Sequence, residues 1–164
     1  MLELIVDDEL RLREFSPSDA SAIFSLIDQN RDHLSQHGED TAAKYPTQES
    51  VLTSIQAPKN PLKLRFGIWA GDTFVGSVNL HPDGSGRSAE IGYYLGSEFM
   101  KRGYVTRSVR RLIQYGFEEL GVQEVWAKVA KSNEPSIPVL IKTEFSEDNS
   151  RSDDRDLYFS IKRS

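Results

Sequence analysis

The sequence predicts a mixed α/β fold in which helices flank a largely antiparallel sheet, and three observations predict it. Residues 64–95 alternate apolar and polar side chains in three runs separated by glycine-containing turns, the pattern of an antiparallel meander. Residues 104–121 switch to apolar positions three and four apart, as in an amphipathic helix, and Val125–Ala130 then returns to strand character. The whole order reads β-α-α-β-β-β-α-β-α-β-β, and 164 residues suit one domain, 1–164, with a sheet covered by helices.

In chain order, Leu10 and Leu12, with Phe15 beyond them, alternate with Arg11, Arg13 and Glu14 as a half-buried strand does. Ser16-Pro17 stops it. Serine is a good N-cap, proline fits the first helical position, and Ala20, Ile23, Phe24 and Ile27 follow at helical spacing, so a helix is expected over residues 17–30. Residues 31–44 (RDHLSQHGEDTAAK) are polar and poorly periodic, a broken helix or a loop. Thr47 opens the next helix, with Glu49 and Ser50 in its first turn and Val51, Leu52 and Ile55 on one face; Pro58, Asn60 and Pro61 end it. Leu64, Phe66 and Ile68 then face one way. Ala70-Gly71-Asp72-Thr73 turns the chain into Phe74–Leu80, and Asp83-Gly84-Ser85-Gly86 turns it again into Ala89–Leu95. After the long helix, closed by Gly121, come the strand Val125–Ala130, a short helix Ile137–Lys142 and two late strands, Glu144–Phe145 and Leu157–Ile161.

Apolar residues at 38% and charged residues at 27% are ordinary for a folded protein and exclude disorder. The chain has no cysteine, which removes disulfides, thiol nucleophiles and thiolate metal ligands. The N-terminal apolar run is too short, and its flanks too acidic, for a secretion signal, and no stretch reaches membrane-spanning length. A soluble, cytoplasmic protein without membrane attachment is expected. A net charge of −5 points away from nucleic acid and toward a cationic partner.

The rest is organised around Glu98 to Gly121 (EFMKRGYVTRSVRRLIQYGFEELG). A strand leads into a basic loop of Lys101, Arg102 and Gly103, and then directly into a helix whose first turn is Tyr104, Val105 and Thr106. Unpaired loop amides and the positive end of the helix dipole converge there, which makes a site for phosphate. Gly84-Ser85-Gly86 is not such a site, because no helix follows it. His33 and His37 stand four apart beside Glu39 and Asp40, but Gly38 interrupts the helix a shared metal would need. No metal site is expected, and a substrate-facing role suits this polar loop better.

Taken together and in this order, the segments LRLREFSPSDASAIF, FVGSVNL, AEIGYYLGSEFMKRGYVTRSVRRLIQYGFEELGVQEVWAKV and SNEPSIPVLIKTEFS resemble the GNAT superfamily of acyl-CoA-dependent N-acetyltransferases, in its RimJ/RimL flavour. The resemblance implies a GNAT-like fold whose sheet splays open near the end of AEIGYYL, with acetyl-CoA in the cleft between that strand and VWAKVA. It implies an acyltransferase that passes an acetyl group to a primary amine of a protein N-terminus, a polyamine or a small molecule, directly and in a ternary complex. The family often forms homodimers, and takes its amine specificity from the first two helices and the loop between them. That brings Glu39 and Asp40 toward a cationic substrate.

The family's phosphate signature is Gln or Arg, two residues, Gly, one residue, then Gly or Ala. It falls on Met100 to Val105, where only Gly103 keeps the pattern; Lys101 and Arg102 add charge, and Val105 is expected to crowd the phosphates. By the same resemblance, Lys101, Arg102, Gly103, Tyr104, Val105 and Thr106 hold the pyrophosphate, Tyr94, Leu95 and Gly96 pair with the pantetheine arm, and the backbone N–H near Leu95 polarises the thioester carbonyl. Asn133 and Ser136 fall on the family's Asn and Ser. Asn133 either bonds coenzyme A or begins the last helix, and Ser136 either protonates the sulfur or caps that helix. Glu90 is the expected base for the incoming ammonium, through water, or else a polar strand residue facing solvent. Tyr104 packs beside the cofactor or in the core. Glu144-Phe145 stand where the family has Gly-Phe, and Pro138 sits where a helix wants an N–H. The departures at Met100, Val105, Pro138 and Glu144 motivate an alternative, a non-catalytic GNAT-like module that binds acyl-CoA as a sensor or interaction partner.

Overall fold

A computed structural model describes residues 1–164. Five helices form: α1 (Ala20–Gln29), α2 (Thr41–Lys44), α3 (Gln48–Gln56), α4 (Tyr104–Glu118) and α5 (Ser136–Lys142). The strands are β1 (Glu3–Ile5), β2 (Leu10–Glu14), β3 (Leu64–Ala70), β4 (Thr73–Pro82), β5 (Ser88–Leu95), β6 (Glu124–Ala130), β7 (Ser146–Glu147) and β8 (Asp156–Lys162). They make one eight-stranded sheet in the order β1-β2-β3-β4-β5-β6-β8-β7. Every neighbouring pair is antiparallel except β5 and β6, which run parallel. A parallel pair needs a crossover, and α4 is that crossover.

Strand alternation divides the apolar side chains between two faces. Leu12, Phe66, Val78, Leu80, Ile91 and Val125 meet Val109 and Leu112 of α4 and Leu140 of α5. On the other face Trp69 and Phe74 are covered by Ile23 and Ile27 of α1 and Val51 of α3. Each such side chain, once buried, stabilises the fold by about 1.5–3 kcal/mol. No helix is long and apolar enough to cross a membrane.

Several elements differ from the sequence expectation for identifiable reasons. The first helix opens as a 3-10 turn, Pro17–Asp19, because the Asp19 carboxylate accepts the Ser16 N–H at 2.8 Å, and α-helix begins only at Ala20. β1 was not expected; it is three residues long and exists as the hairpin partner of β2, with Glu3 opposite Arg13. Residues 31–44 hold a 3-10 turn, His33–Ser35, and the single turn of α2. The long helix stops at Glu118, leaving Leu120 exposed, and Gly121 reverses the chain with φ 72°. The late strand is Ser146–Glu147 rather than Glu144–Phe145, because Glu144 takes a left-handed φ of 71° and turns the chain before it can pair. Pro138 is harmless. It is the third residue of α5, where no intrahelical N–H bond would form.

The feature that positions the site is the β5–β6 pair. It covers only Ser88 to Glu90 against Glu124 to Trp126, whereas β6 pairs with β8 from Glu124 to Ala130. Beyond Glu90 the two strands part. On its other side β5 is pressed hard against β4, where a Cβ on Gly76 would stand 2.3 Å from Tyr94 O.

Candidate active site

The gap after Glu90 exposes one edge of β5. Gly96 N–H donates to Val75 O at 3.0 Å, so the alternation of a strand turns the backbone groups of Tyr94 toward β4 and those of Tyr93 and Leu95 toward the gap. This corrects the phase expected from the sequence. Tyr93 and Leu95, rather than Tyr94 and Gly96, turn their backbone groups toward a guest in the gap, the Leu95 N–H being free and its carbonyl already met by His33, while Gly96 is engaged with β4. Burial pushes the phenols of Tyr93 and Tyr94 above the ordinary tyrosine value, Tyr94 the further, so neither is ionised near neutral pH.

A cavity of about 540 Å³ runs from this edge to the start of α4. The amides of Lys101, Arg102 and Gly103 donate to nothing in the protein, and Tyr104, Val105 and Thr106 precede the first helical bond, from Arg107 N–H to Gly103 O. Lys101 and Gly103 both take left-handed φ values, 66° and 77°, which fold this run of six amides into a concave turn. No side chain caps it, so the helix start is open to an anion.

Side chains around this turn settle in different places. Val105 is buried in the main core and forms part of the cavity wall, so the expected crowding comes to no more than that wall. Tyr104 is also core, with its hydroxyl donating to Glu9 Oε2 at 3.1 Å. Lys101 and Thr106 line the cavity, but Arg102 lies outside it, bonded to Glu98 O and over the Phe99 ring. Arg107 is also occupied, donating to Asp7 Oδ2 at 2.7 Å and Glu9 Oε1 at 3.0 Å. Those two bonds push its pKa up further, and the same guanidinium holds the Asp7 carboxyl below the usual aspartate value. The cationic side chains that line the cavity are therefore Lys101 and Lys142, and the sequence reading did not single out Lys142.

Asn133 and Ser136 both line the far wall. Ser136 is the first residue of α5 and its hydroxyl makes no capping bond, so the capping role does not hold; its carbonyl accepts the Tyr93 hydroxyl at 3.4 Å. Asn133 precedes the helix in a turn in which its carbonyl accepts the Ser136 N–H at 3.2 Å. Glu90 is the last paired residue at the root of the gap and does not line the cavity. It lies instead near Lys63, whose ammonium is held below the ordinary lysine value by burial and by Lys44 and Arg65, with Glu90 and Asp40 opposing.

The polar loop before α2 roofs the cavity. His33 Nε2 lies 3.2 Å from Leu95 O, and His37 Nδ1 lies 3.0 Å from Ser132 Oγ, so the two imidazoles reach opposite sides of the gap rather than a common point. Glu39 lines the cavity with one carboxylate oxygen accepting the His37 N–H at 2.9 Å, whereas Asp40 turns away to Lys44 at 3.3 Å.

Comparison with known proteins agrees with this geometry. The acetyltransferase (GNAT) domain family matches residues 9–146. The Bacillus subtilis (strain 168) protein named "Putative ribosomal N-acetyltransferase YdaF" is 29% identical over 153 residues, covering 90% of this chain and 84% of that protein. Among solved structures, RimL, a ribosomal alpha-N-protein acetyltransferase in complex with coenzyme A, superposes with a TM-score of 0.88 at 18% identity over 98% of each chain. The microcin C7 self immunity acetyltransferase MccE, in complex with acetyl-CoA and AMP, gives 0.86 at 22% identity over 96% of this chain and 94% of its own. At those identities the two structures speak to the fold, and the family match speaks to the chemistry: with its parted sheet and open helix start, this chain belongs to the GNAT acetyltransferases.

Proposed function

We propose that the chain is an acetyl-CoA-dependent N-acetyltransferase acting directly on a primary amine of a peptide or protein, within a ternary complex. The observation that carries the reading is the juxtaposition of two donor sets along one cavity: the gap-facing backbone of Leu95 and the unpaired amides of Lys101 to Thr106. Acetyl-CoA fits these residues. The turn and Lys101 suit a pyrophosphate, the gap-facing edge of Tyr93 and Leu95 suits the amide-bearing pantetheine arm, and Asn133 lies across from them. When bound, the group supplies an acetyl carbon already activated as a thioester. Leu95 N–H, which is independent of side-chain identity, stabilises negative charge on an acyl oxygen in the gap. Ser136 lines the cavity, and its hydroxyl is the proton source for a departing sulfur. The acceptor's proton leaves either to a group lining the cavity or through water to Glu90 at the root of the gap.

A peptide acceptor is supported by the ribosomal N-acetyltransferase names of the relatives, and a cationic amine by the Glu39 carboxylate on the cavity wall. Incubating the protein with acetyl-CoA and a panel of serine- and alanine-initiated peptides, spermine and lysine, with free thiol as the readout, tests the proposal. Thiol release with a peptide supports it. Coenzyme A binding by calorimetry with no release across the panel would instead identify a non-catalytic acyl-CoA module.

A further inference from the structure

An ammonium cannot attack a carbonyl until it has lost a proton, and this inference rests on the amine-acetylation reading above. Imidazole is the side chain whose charge ordinarily changes between about pH 5 and 8, and the cavity holds two. His37 is tied through Nδ1 to Ser132 at the rim. His33 is placed differently. Its Nε2 lies 3.2 Å from Leu95 O, and because a carbonyl only accepts, Nε2 must carry the hydrogen. The neutral ring then keeps its basic lone pair on Nδ1, to which nothing in the protein donates. Leu95 is also the residue whose N–H faces the gap, so a single backbone unit anchors the imidazole and presents the donor for an acyl oxygen.

We propose that His33 is the catalytic proton acceptor of this enzyme. Nδ1 takes a proton from the acceptor's ammonium, while the Nε2–H bond to Leu95 O fixes the ring. The proton count closes. The amine lone pair forms the new N–C bond, the C–S pair leaves on sulfur, and the ammonium loses two protons over the cycle, one to solvent by way of His33 and one to the thiolate. Glu90 does not line the cavity and would need a water chain to do the same work. The other titratable groups around the cavity are His37 and Glu39 from the loop, Tyr93 and Tyr94 from β5, Lys101 from the turn, Tyr104 from α4 and Lys142 from α5.

His33→Gln is the informative variant, because a carboxamide N–H can still reach Leu95 O but carries no base. With a serine-initiated peptide the rate is expected to fall by about 10²–10⁴-fold, with the coenzyme A Kd from calorimetry unchanged. The variant's remaining rate should climb with pH along the titration of the peptide amine, in place of the imidazole-governed limb of the wild type. Nitrogen NMR of the wild type, which needs no acceptor, should show the neutral His33 ring protonated at Nε2. A His33→Gln protein with wild-type rate and pH profile, or a neutral ring protonated at Nδ1, overturns the proposal, as does loss of the acidic limb on Glu90→Gln alone. A wild type that acetylates no probe counts against amine transfer itself, and the tautomer then still decides whether His33 holds a free basic nitrogen.

Discussion

The side-chain oxygen of Asn30 accepts two hydrogen bonds from Ser97, one from its amide and one from its hydroxyl, both at 2.9 Å, while Asn30 Nδ2 donates to Leu26 O at 2.8 Å. Asn30 is buried at the end of α1, and Ser97 begins the turn that leaves β5. One side chain thus fixes the direction in which the chain departs from Leu95. Asn30→Ala removes the acceptor of the Ser97 amide, which is exposed and can turn to water, and the net loss of such a hydrogen bond is about 0.5–1.5 kcal/mol. Urea unfolding should show that drop, and calorimetry should show weaker coenzyme A binding. Unchanged binding in a folded variant would mean the tie is not needed to shape the site.

At the start of α4, backbone and side chain make separable contributions. Gly103 takes φ 77°, where an alanine costs about 1–2 kcal/mol and redirects the neighbouring amides, so Gly103→Ala should weaken coenzyme A binding at any ionic strength. Lys101→Ala removes only an exposed charge. Its effect should be small and should fade as salt is added, because salt screens exposed charges. Calorimetry at low and high salt separates the two.

The Asp7–Arg107 pair makes acid stability predictable in sign. Arg107 holds the Asp7 carboxyl below its ordinary value, so the contribution is complete above the unfolded value of about 3.9 and is lost as pH falls through the lower, folded one. Asp7→Asn should therefore be less stable than wild type near neutrality. The gap should close as urea melts are repeated below pH 3.9 or so. A gap that persists in acid would show that the pair contributes by packing rather than charge.

Glu144 occupies the left-handed region, where a residue with a Cβ is strained by about 1–2 kcal/mol. Glycine relieves that strain but loses more freedom on folding, by about 0.5–1 kcal/mol. Glu144→Gly should raise the melting temperature modestly. A lower one would show that the Glu144 side chain makes a stabilising contribution of its own.

The elements legible in the sequence were those with a clear period: the meander from Leu64 to Leu95 and the α4 stripe of Val105, Val109 and Leu112. β1 was not legible, because three residues carry no period and its pairing with β2 is tertiary. Within the site, the glycine-bearing turn could be read because loop and helix start are contiguous. The contact from His33 to Leu95 could not, since 62 residues separate them. Nor could the choice between Tyr93 and Tyr94, which depends on which backbone groups β4 consumes, a matter of register rather than residue type. Val105 looked obstructive because a motif records residue types and not the direction in which a side chain leaves the helix.

The short seam between β5 and β6 has a mechanical corollary. Strands β1 to β5 form one plate, β6, β7 and β8 another, and the plates are riveted at one corner by the Ser88–Glu90 rungs. The line along which this protein should open most readily is thus the line along which its guest lies, and a ligand bonded to both plates stiffens the whole body. Amide exchange in β6 and β8, far from the phosphate turn, should slow when coenzyme A is added.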